Sequence, residues 1–445
     1  MPTGNDDLNH SADEQLPRRL SLATAVATVV GVTIGSGIFR VPAEVAMQSG
    51  SAGAMMLVWI AGGLLTLGFA LLLSELGAMY PRSGGLYVYI REAFGELAAF
   101  VYGWTFLLVN PAGWAAIATV FAEYLGKFVP LTDFSRRAVA VGLIVLMASA
   151  NYRSVLLGAA IQNIVTFLKV VALVSLVLFI LALGDPAGGS LAAEIVWSPA
   201  TWPGFLLALV AALWAYEGAS SFCNLAGEVR DAHRNVPRAL MLGVGGVMIV
   251  YLAVNLAYLY ILPLDVIQRS PLVAADAAGE VLGTGASALI SGLVMVSTFG
   301  ALAGVCMTEP RLYFAMGRDR NFFEATGRVH PRFRTPYVAI MVATGIACIY
   351  ASIRTFGQLA ATFVLGLMPF YALAVIGVWR LRRKRPDAER PYRSFGYPWV
   401  LILYVAAVVL VLGNALVETP GIALVNVSIS LAGVPVYYAW KKLYR

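Results

Sequence analysis

The chain has 445 residues, of which 60% are hydrophobic and only 12% charged, and its 31 Lys and Arg against 24 Asp and Glu leave a net charge of +7. An average soluble protein is ~25% charged, so this chain has too few charges to coat a soluble domain; an ordinary cytosolic enzyme, a disordered protein and a nucleic-acid binder are excluded. Three unevenly spaced cysteines in apolar runs (Cys223, Cys306, Cys348) and three histidines in polar segments leave no disulfide framework, no metal site and no resident cofactor to expect.

The first twenty residues are polar and read as a disordered cytoplasmic N-terminus over 1–19. They are not a signal peptide, because the positive start is missing and the first apolar run is too long. A membrane helix needs ~20 apolar residues. Twelve such stretches follow: 20–48, 53–79, 95–127, 136–151, 156–183, 203–228, 238–262, 285–317, 336–353, 357–380, 397–418 and 421–440. The predicted fold class is therefore all-α integral membrane, since strands of a β-barrel would alternate over ~10 residues instead.

Of the 31 basic residues, 23 fall on the N-terminal side of these spans, five on the other side, and three (Arg40, Lys169, Arg311) within spans. That bias places both termini in the cytoplasm of a cell whose plasma (inner) membrane holds the protein. The basic run 380–385 (RLRRKR) reads as a topology anchor touching anionic membrane lipid rather than a docking motif.

Two apolar runs are interrupted. The first span contains GVTIGSGIF (31–39), where Gly35, Ser36 and Gly37 favour local unwinding. The sixth contains LWAYEGASSF (213–222), with Glu217 and Gly218 at its middle. These hold the same position in two five-helix halves, 20–183 and 203–380, which an odd number of crossings would invert relative to each other; 397–440 adds two helices and 441–445 a cytoplasmic tail. Paired interruptions at corresponding positions point to a transport site. Unwinding frees backbone groups at mid-membrane, and a zwitterion satisfies them: its carboxylate takes N–H groups at a half-helix start, its ammonium the carbonyls. The competing reading of the Gly-Ser-Gly run is close helix packing.

The segments VGVTIGSGIF (30–39), SELGAMYPRSGGLYVYIREAFG (74–95), LWAYEGASSFCNLAGEVRDAHRNVPRAL (213–240), TEPRLYFAMGRD (308–319) and RPYRSFGYPW (390–399) resemble the amino acid–polyamine–organocation superfamily, in its L-type amino-acid transporter-like branch. The resemblance implies a LeuT-type fold with inverted five-helix repeats, discontinuous helices 1 and 6, and alternating access. It implies substrate binding by the amides of Ser36, Gly37 and Ile38 and the carbonyls of Thr33, Ile34, Trp214 and Ala215, with Trp214 as an aromatic outer gate; the competing reading of Trp214 is a packed core ring.

Lys169 lies inside the fifth span, where a charge costs ~2.5–3.5 kcal/mol on insertion scales. By resemblance it substitutes for the sodium ion held between helices 1 and 8 in sodium-coupled relatives, which implies sodium-independent transport; the alternative is a lysine reaching for an interface. Glu217 departs from the small residue common in L-type relatives. Three readings compete for it: a partner for a substrate cation, a proton-coupling site, or a structural partner for a basic group such as Lys169. Ala219 and Ser220 replace larger residues of relatives, either widening the pocket or making room for Glu217. Glu75 and Glu228, at the inner ends of spans 2 and 6, are expected to pair with Arg82, Arg230 or Arg311 as an inner gate or as passive ion pairs. Glu309-Pro310 is expected to kink span 8 beside Lys169.

The loop 127–134 (KFVPLTDF) carries no cysteine where animal relatives join a glycoprotein, so no disulfide-linked subunit is expected; the chain reads as a monomer or weak homo-oligomer. The implied function is sodium-independent secondary transport of L-α-amino acids, by exchange or with protons. Neutral substrates stand slightly ahead, because only one acid is added to an intact zwitterion cage. The alternatives are a carrier of cationic amino acids or polyamines read by Glu217, and a nutrient-sensing receptor on a transporter scaffold. An enzyme is not expected, because the buried ionisable groups lack nucleophile–base or metal-ligand spacing, and a channel would want a repeated filter sequence.

Overall fold

The computed structural model describes residues 18, 20–82, 84–153, 155–191, 200–333 and 335–444, with side chains outside 155–164 and 444. The expected disordered segment 1–19 lies, apart from Arg18, outside the described residues. The described chain is helical, and its one β-bridge joins Leu20 to Val229.

Nineteen α-helices follow in order. The first broken pair is α1 (Leu22–Thr33) and α2 (Gly37–Ser49), followed by α3 (Ala52–Met79) and the short α4 (Leu86–Phe94). Next come α5 (Glu96–Val109), α6 (Pro111–Leu125), α7 (Asp133–Arg153) and α8 (Val155–Leu183). The second half begins with α9 (Trp202–Ala215) and α10 (Ala219–Cys223), then α11 (Ala232–Ile261), α12 (Leu264–Arg269) and α13 (Val273–Leu282). It continues with α14 (Thr284–Thr308), α15 (Pro310–Arg318), α16 (Tyr337–Ile353), α17 (Phe356–Lys384), α18 (Trp399–Glu418) and α19 (Pro420–Tyr444). Each of the twelve predicted stretches holds one helix or an interrupted run of two.

Among the described residues, nine helical runs are long and apolar enough to cross a membrane, and ten if α1 and α2, bent by 45°, form one span. α16 is apolar but shorter, and α7 is not among these runs. The last helix runs through the expected tail to Tyr444. The sequence reading had no place for α12 and α13, which turn back into the protein after α11; Val273, Ala274, Ala275 and Ala277 of α13 are fully buried.

The outer faces carry large apolar side chains exposed to their surroundings, among them Phe167, Leu178, Ile249, Leu403 and Val409. In water this would be a liability; against lipid tails it costs nothing, because the tails are as apolar as leucine. Hydrogen bonding inside is local: Thr66, Ser74, Ser291 and Thr308 each donate their hydroxyl to the carbonyl four residues back. A polar side chain is thereby kept inside an apolar helix without an unpaired donor.

The end of the bundle that carries most arginines is closed by several ties. Leu20 N–H donates to the Glu228 carbonyl and Arg230 N–H to the Leu20 carbonyl, both at 2.9 Å, so the entry to α1 is pinned behind α10. Arg311 Nη1 lies 2.9 Å from Glu228 Oε1. Arg91 and Tyr87 of α4 both donate to the Asp319 carboxylate. Burial, and then the charge of Asp319, push the Tyr87 phenol up to about 12, so it stays protonated as the donor.

Glu228 pairs with one of its expected partners, Arg311. Glu75 does not: its carboxylate accepts from Arg382 Nε at 2.9 Å and Nη2 at 2.6 Å, and from the backbone N–H and hydroxyl of Ser394 at 2.8 and 2.9 Å. Arg390 Nε approaches to 3.7 Å, while its Nη1 and Nη2 donate to four carbonyls at the end of α17, including those of Leu381 and Ala388. The correction has a simple cause. Arg311 is engaged by Glu228 and the exposed Arg82 would gain little from a surface pair, whereas Arg382 reaches the buried carboxylate with two nitrogens. Glu75→Ala is expected to destabilise the protein by ~2–4 kcal/mol, because it orphans Arg382 and the Ser394 N–H. Arg82→Ala is expected to stay within ~0.5 kcal/mol. Thermal midpoints of the two variants in detergent check this.

Candidate functional site

The site grows from the two helix breaks. α1 ends at Thr33 and α2 begins at Gly37, leaving Ile34, Gly35 and Ser36 outside regular helix. Gly35 N–H turns back to the Thr33 carbonyl at 2.8 Å, and Phe39 N–H reaches the Ser36 carbonyl at 3.3 Å. The amides of Ser36, Gly37 and Ile38 have no acceptor among the described residues. A helix start leaves such donors free by geometry. The Ser36 hydroxyl is also buried without a hydrogen-bond partner.

The second break lies between α9 and α10, over Tyr216, Glu217 and Gly218. The breaks touch each other. A Cβ on Gly37 would lie 2.6 Å from Ala215 Cα, and one on Gly218 2.0 Å from Thr33 Oγ1. Close packing and unwinding are thus both properties of this run rather than rival explanations. Tyr251 of α11 bridges the breaks: its hydroxyl lies 2.9 Å from the Thr33 carbonyl and 3.1 Å from that of Ala215.

Lys169 of α8 lies inside, 3% exposed, while the preceding Phe167 faces outward. Its ammonium donates to the Gly31 carbonyl at 2.9 Å and the Ile34 carbonyl at 2.5 Å, both at the end of α1. Those are carbonyls that a broken helix leaves unpaired. The Ile34 carbonyl, expected to take a substrate ammonium, is held by Lys169 here. No ion pair joins Lys169 to Glu217 among the described residues.

A cavity opens against both breaks. Thr33, Ser36 and Gly37 line it from the first break, Trp214, Ala215 and Glu217 from the second. Ile34 and Ile38 are buried and not among its lining residues. Trp214 stands edge-on to Phe363, ring centroids 5.0 Å apart, and to Phe356 at 6.5 Å. Arg40 sits over the other side of the Phe356 environment, 5.2 Å from that ring, and binds Glu123 at 3.1 Å. Trp214 is therefore packed and also a wall of the cavity, with an ion pair behind its neighbour.

Glu217 also lines a second, aromatic cavity, together with Ala219, Phe69, Tyr371 and Tyr404. Ser220 donates its hydroxyl to the Glu217 carboxylate and lies 3.2 Å from the Tyr371 hydroxyl. Of the two small residues after Glu217, Ser220 thus holds its side chain and Ala219 lines the cavity beside it. Glu75 and Glu228 belong to the arginine-rich end described above, not to this cavity.

Sequence reasoning singled out Glu309 only as part of a kink and named neither Trp114, which also lines the cavity, nor the Asn110 that holds Glu309. Glu309, at the junction of α14 and α15, lines the cavity, where Asn110 and Trp114 both donate to its Oε2. Its carboxylate is thus engaged from α6 and the α5–α6 junction, not by Lys169. The available signal was a second paired interruption, Asn110-Pro111 in the third predicted span and Glu309-Pro310 in the eighth. Hydroxyls help to satisfy carbonyls near the α5–α6 step: Leu108 accepts from Tyr350 at 3.1 Å, and Phe106, which takes the Asn110 N–H at 2.9 Å, also accepts from Tyr313 at 3.3 Å. Among the described residues no cluster of His, Cys, Asp and Glu is arranged to hold a metal ion.

Comparison with known proteins agrees with this architecture. The family model described as amino acid permease matches residues 20–439. The serine/threonine exchanger SteT of Bacillus subtilis is 30% identical over 437 residues, covering 97% of this chain and 99% of that protein. The human b(0,+)-type amino acid transporter 1 is 31% identical over 388 residues, 85% of this chain and 79% of that protein. The human cystine/glutamate transporter is 29% identical over 442 residues, 98% of this chain and 87% of that protein. With the match running through both helix breaks and every membrane-length helix, the chain belongs to the amino acid permease family, in the L-type-like branch of the amino acid–polyamine–organocation superfamily, and is an integral membrane protein of amino-acid transport.

Proposed function

We propose that this protein is a sodium-independent secondary transporter of L-α-amino acids, working by alternating access as an exchanger or with protons. The observation that carries the reading is the Lys169 ammonium seated on the Gly31 and Ile34 carbonyls. A permanently tethered cation there holds the end of α1 without an ion from solution. The unclaimed amides of Ser36, Gly37 and Ile38 are the place for a substrate carboxylate, at the positive end of α2. The ammonium then lies between the Trp214 and Ala215 carbonyls and Glu217.

In this reading the fold is of the LeuT type, with twelve spans, 20–183 and 203–380 as inverted repeats and 397–440 as two added helices. The chain sits in the plasma (inner) membrane with both termini cytoplasmic, as a monomer or weak homo-oligomer without a disulfide-linked subunit. Trp214 closes the outer side over the substrate. The Glu228–Arg311 pair and the Leu20–Val229 bridge close the inner side, with Glu75 anchoring α3 to α17 beside them. Opening inward requires the Leu20 ties and the Glu228 pair to break while Glu75 stays engaged.

Counterflow in proteoliposomes tests the reading. With sodium replaced by N-methylglucamine, trans-stimulated uptake of at least one L-α-amino acid is expected to keep its full rate; a strict sodium requirement would sink the proposal. Lys169→Ala is expected to lower that uptake ~10-fold or more, because two mid-membrane carbonyls lose a charged donor worth ~1.5–3 kcal/mol each way it is counted. An unchanged rate in that variant would remove Lys169 from the coupling scheme.

A further inference from the structure

The titratable side chains that line the central cavity are all acidic. Glu217 and Glu309 both line it, and no lysine or arginine does. Among the described residues neither carboxylate is in an ion pair. Glu309 is 4% exposed, and its partners Asn110 and Trp114 are neutral donors that fix one oxygen, Oε2, in place. Neutral donors orient a carboxylate without balancing its charge, and an unbalanced charge in a dry site is costly. On the same wall system, Ser36 Oγ is buried without a partner, and the amides of Ser36 and Gly37 are unclaimed. The cavity therefore asks for an anion at the first break and for more than one positive centre elsewhere.

An α-amino acid with a neutral side chain supplies one carboxylate and one ammonium. The carboxylate answers Ser36 and Gly37, and the ammonium answers Glu217 in the second break. Glu309 is then left as it was. A side chain ending in an ammonium or guanidinium supplies the missing cation. We propose that Glu309, oriented by Asn110 and Trp114, is a specificity-determining residue that binds the terminal cation of a basic L-α-amino acid. This deepens, and rests on, the amino-acid transport proposed above. It also removes the premise that put neutral substrates ahead, which was that the zwitterion cage gains a single acid. The two hydrogen bonds to Oε2 suit this role because they hold the carboxylate in one rotamer before the substrate arrives, so little ordering is left for binding to do.

Sodium-free counterflow with arginine and citrulline tests the assignment, because citrulline keeps the length and head group of arginine and lacks its charge. In the unmodified protein, arginine is expected to trans-stimulate about tenfold or more over citrulline (~1.4 kcal/mol). Glu309→Gln is expected to bring the ratio close to one. Glu217→Gln is expected to weaken both substrates together, because the α-ammonium is common to them. A ratio near one in the unmodified protein, with citrulline or leucine exchanging well, overturns the proposal while leaving amino-acid transport standing. So does a Glu309→Gln variant whose ratio is unchanged, or a Glu217→Gln variant that alone abolishes it. If Glu309→Gln does not fold, the ratio in the unmodified protein and in Asn110→Ala decides, the latter expected to fall by several-fold. Absence of exchange for every amino acid would sink the transport reading and this one with it.

Discussion

A helix broken inside a bilayer has to place its own backbone groups, and most of the central architecture follows from that constraint. Each unpaired N–H or C=O costs several kcal/mol in hydrocarbon. At the end of α1 the orphan carbonyls are taken by Lys169 and Tyr251. The two breaks are pressed together at Gly37 and Gly218, so that each excludes lipid from the other. At the first break the groups left unpaired are the amides at the start of α2 and the Ser36 hydroxyl, and Ser36 and Gly37 line the cavity.

The same logic operates a second time where α5 meets α6 and α14 meets α15. Proline removes an amide at Pro111 and Pro310, and the residue before each proline turns a polar side chain toward the other step. Asn110 and Glu309 thereby join two helical runs through a hydrogen bond in the protein interior. The first pair of breaks offers donors to an anion; the second offers a carboxylate. Two kinds of interruption, glycine-based and proline-based, give the cavity two electrostatic ends.

Much of this was legible in the sequence, for physical reasons that differ between parts. Helix positions were readable because a bilayer demands long apolar runs. Both glycine breaks were readable because Gly35–Gly37 and Glu217-Gly218 violate the pattern of an uninterrupted span. Lys169 was readable because a charge in mid-helix is too costly to be idle. Glu309 was noticed as an oddity, but its partners Asn110 and Trp114 were not, since a single sequence says which residues are strange but not which face of a helix meets which. Glu75 failed in the same way: Arg382 lies 307 positions away, and no local pattern ties the two. The turned-back helices α12 and α13 were missed because they are too short to look like spans and too apolar to look like a loop.

The separation of the buried charges carries the last step of the argument. A simpler protein would let Lys169 neutralise one of the acids. Instead Lys169 is used up on backbone carbonyls, and Glu217 and Glu309 are held by Ser220, Asn110 and Trp114, all of them neutral. An internal ion pair would have been the easier way to offset burial, but it would also have filled the cavity's electrostatic demand permanently. Leaving the carboxylates with neutral donors keeps them in place and keeps that demand open. In the proposed reading such a site is stable as a fold because its hydrogen bonds are made, and receptive to a substrate cation because, among the described residues, neither carboxylate is in an ion pair.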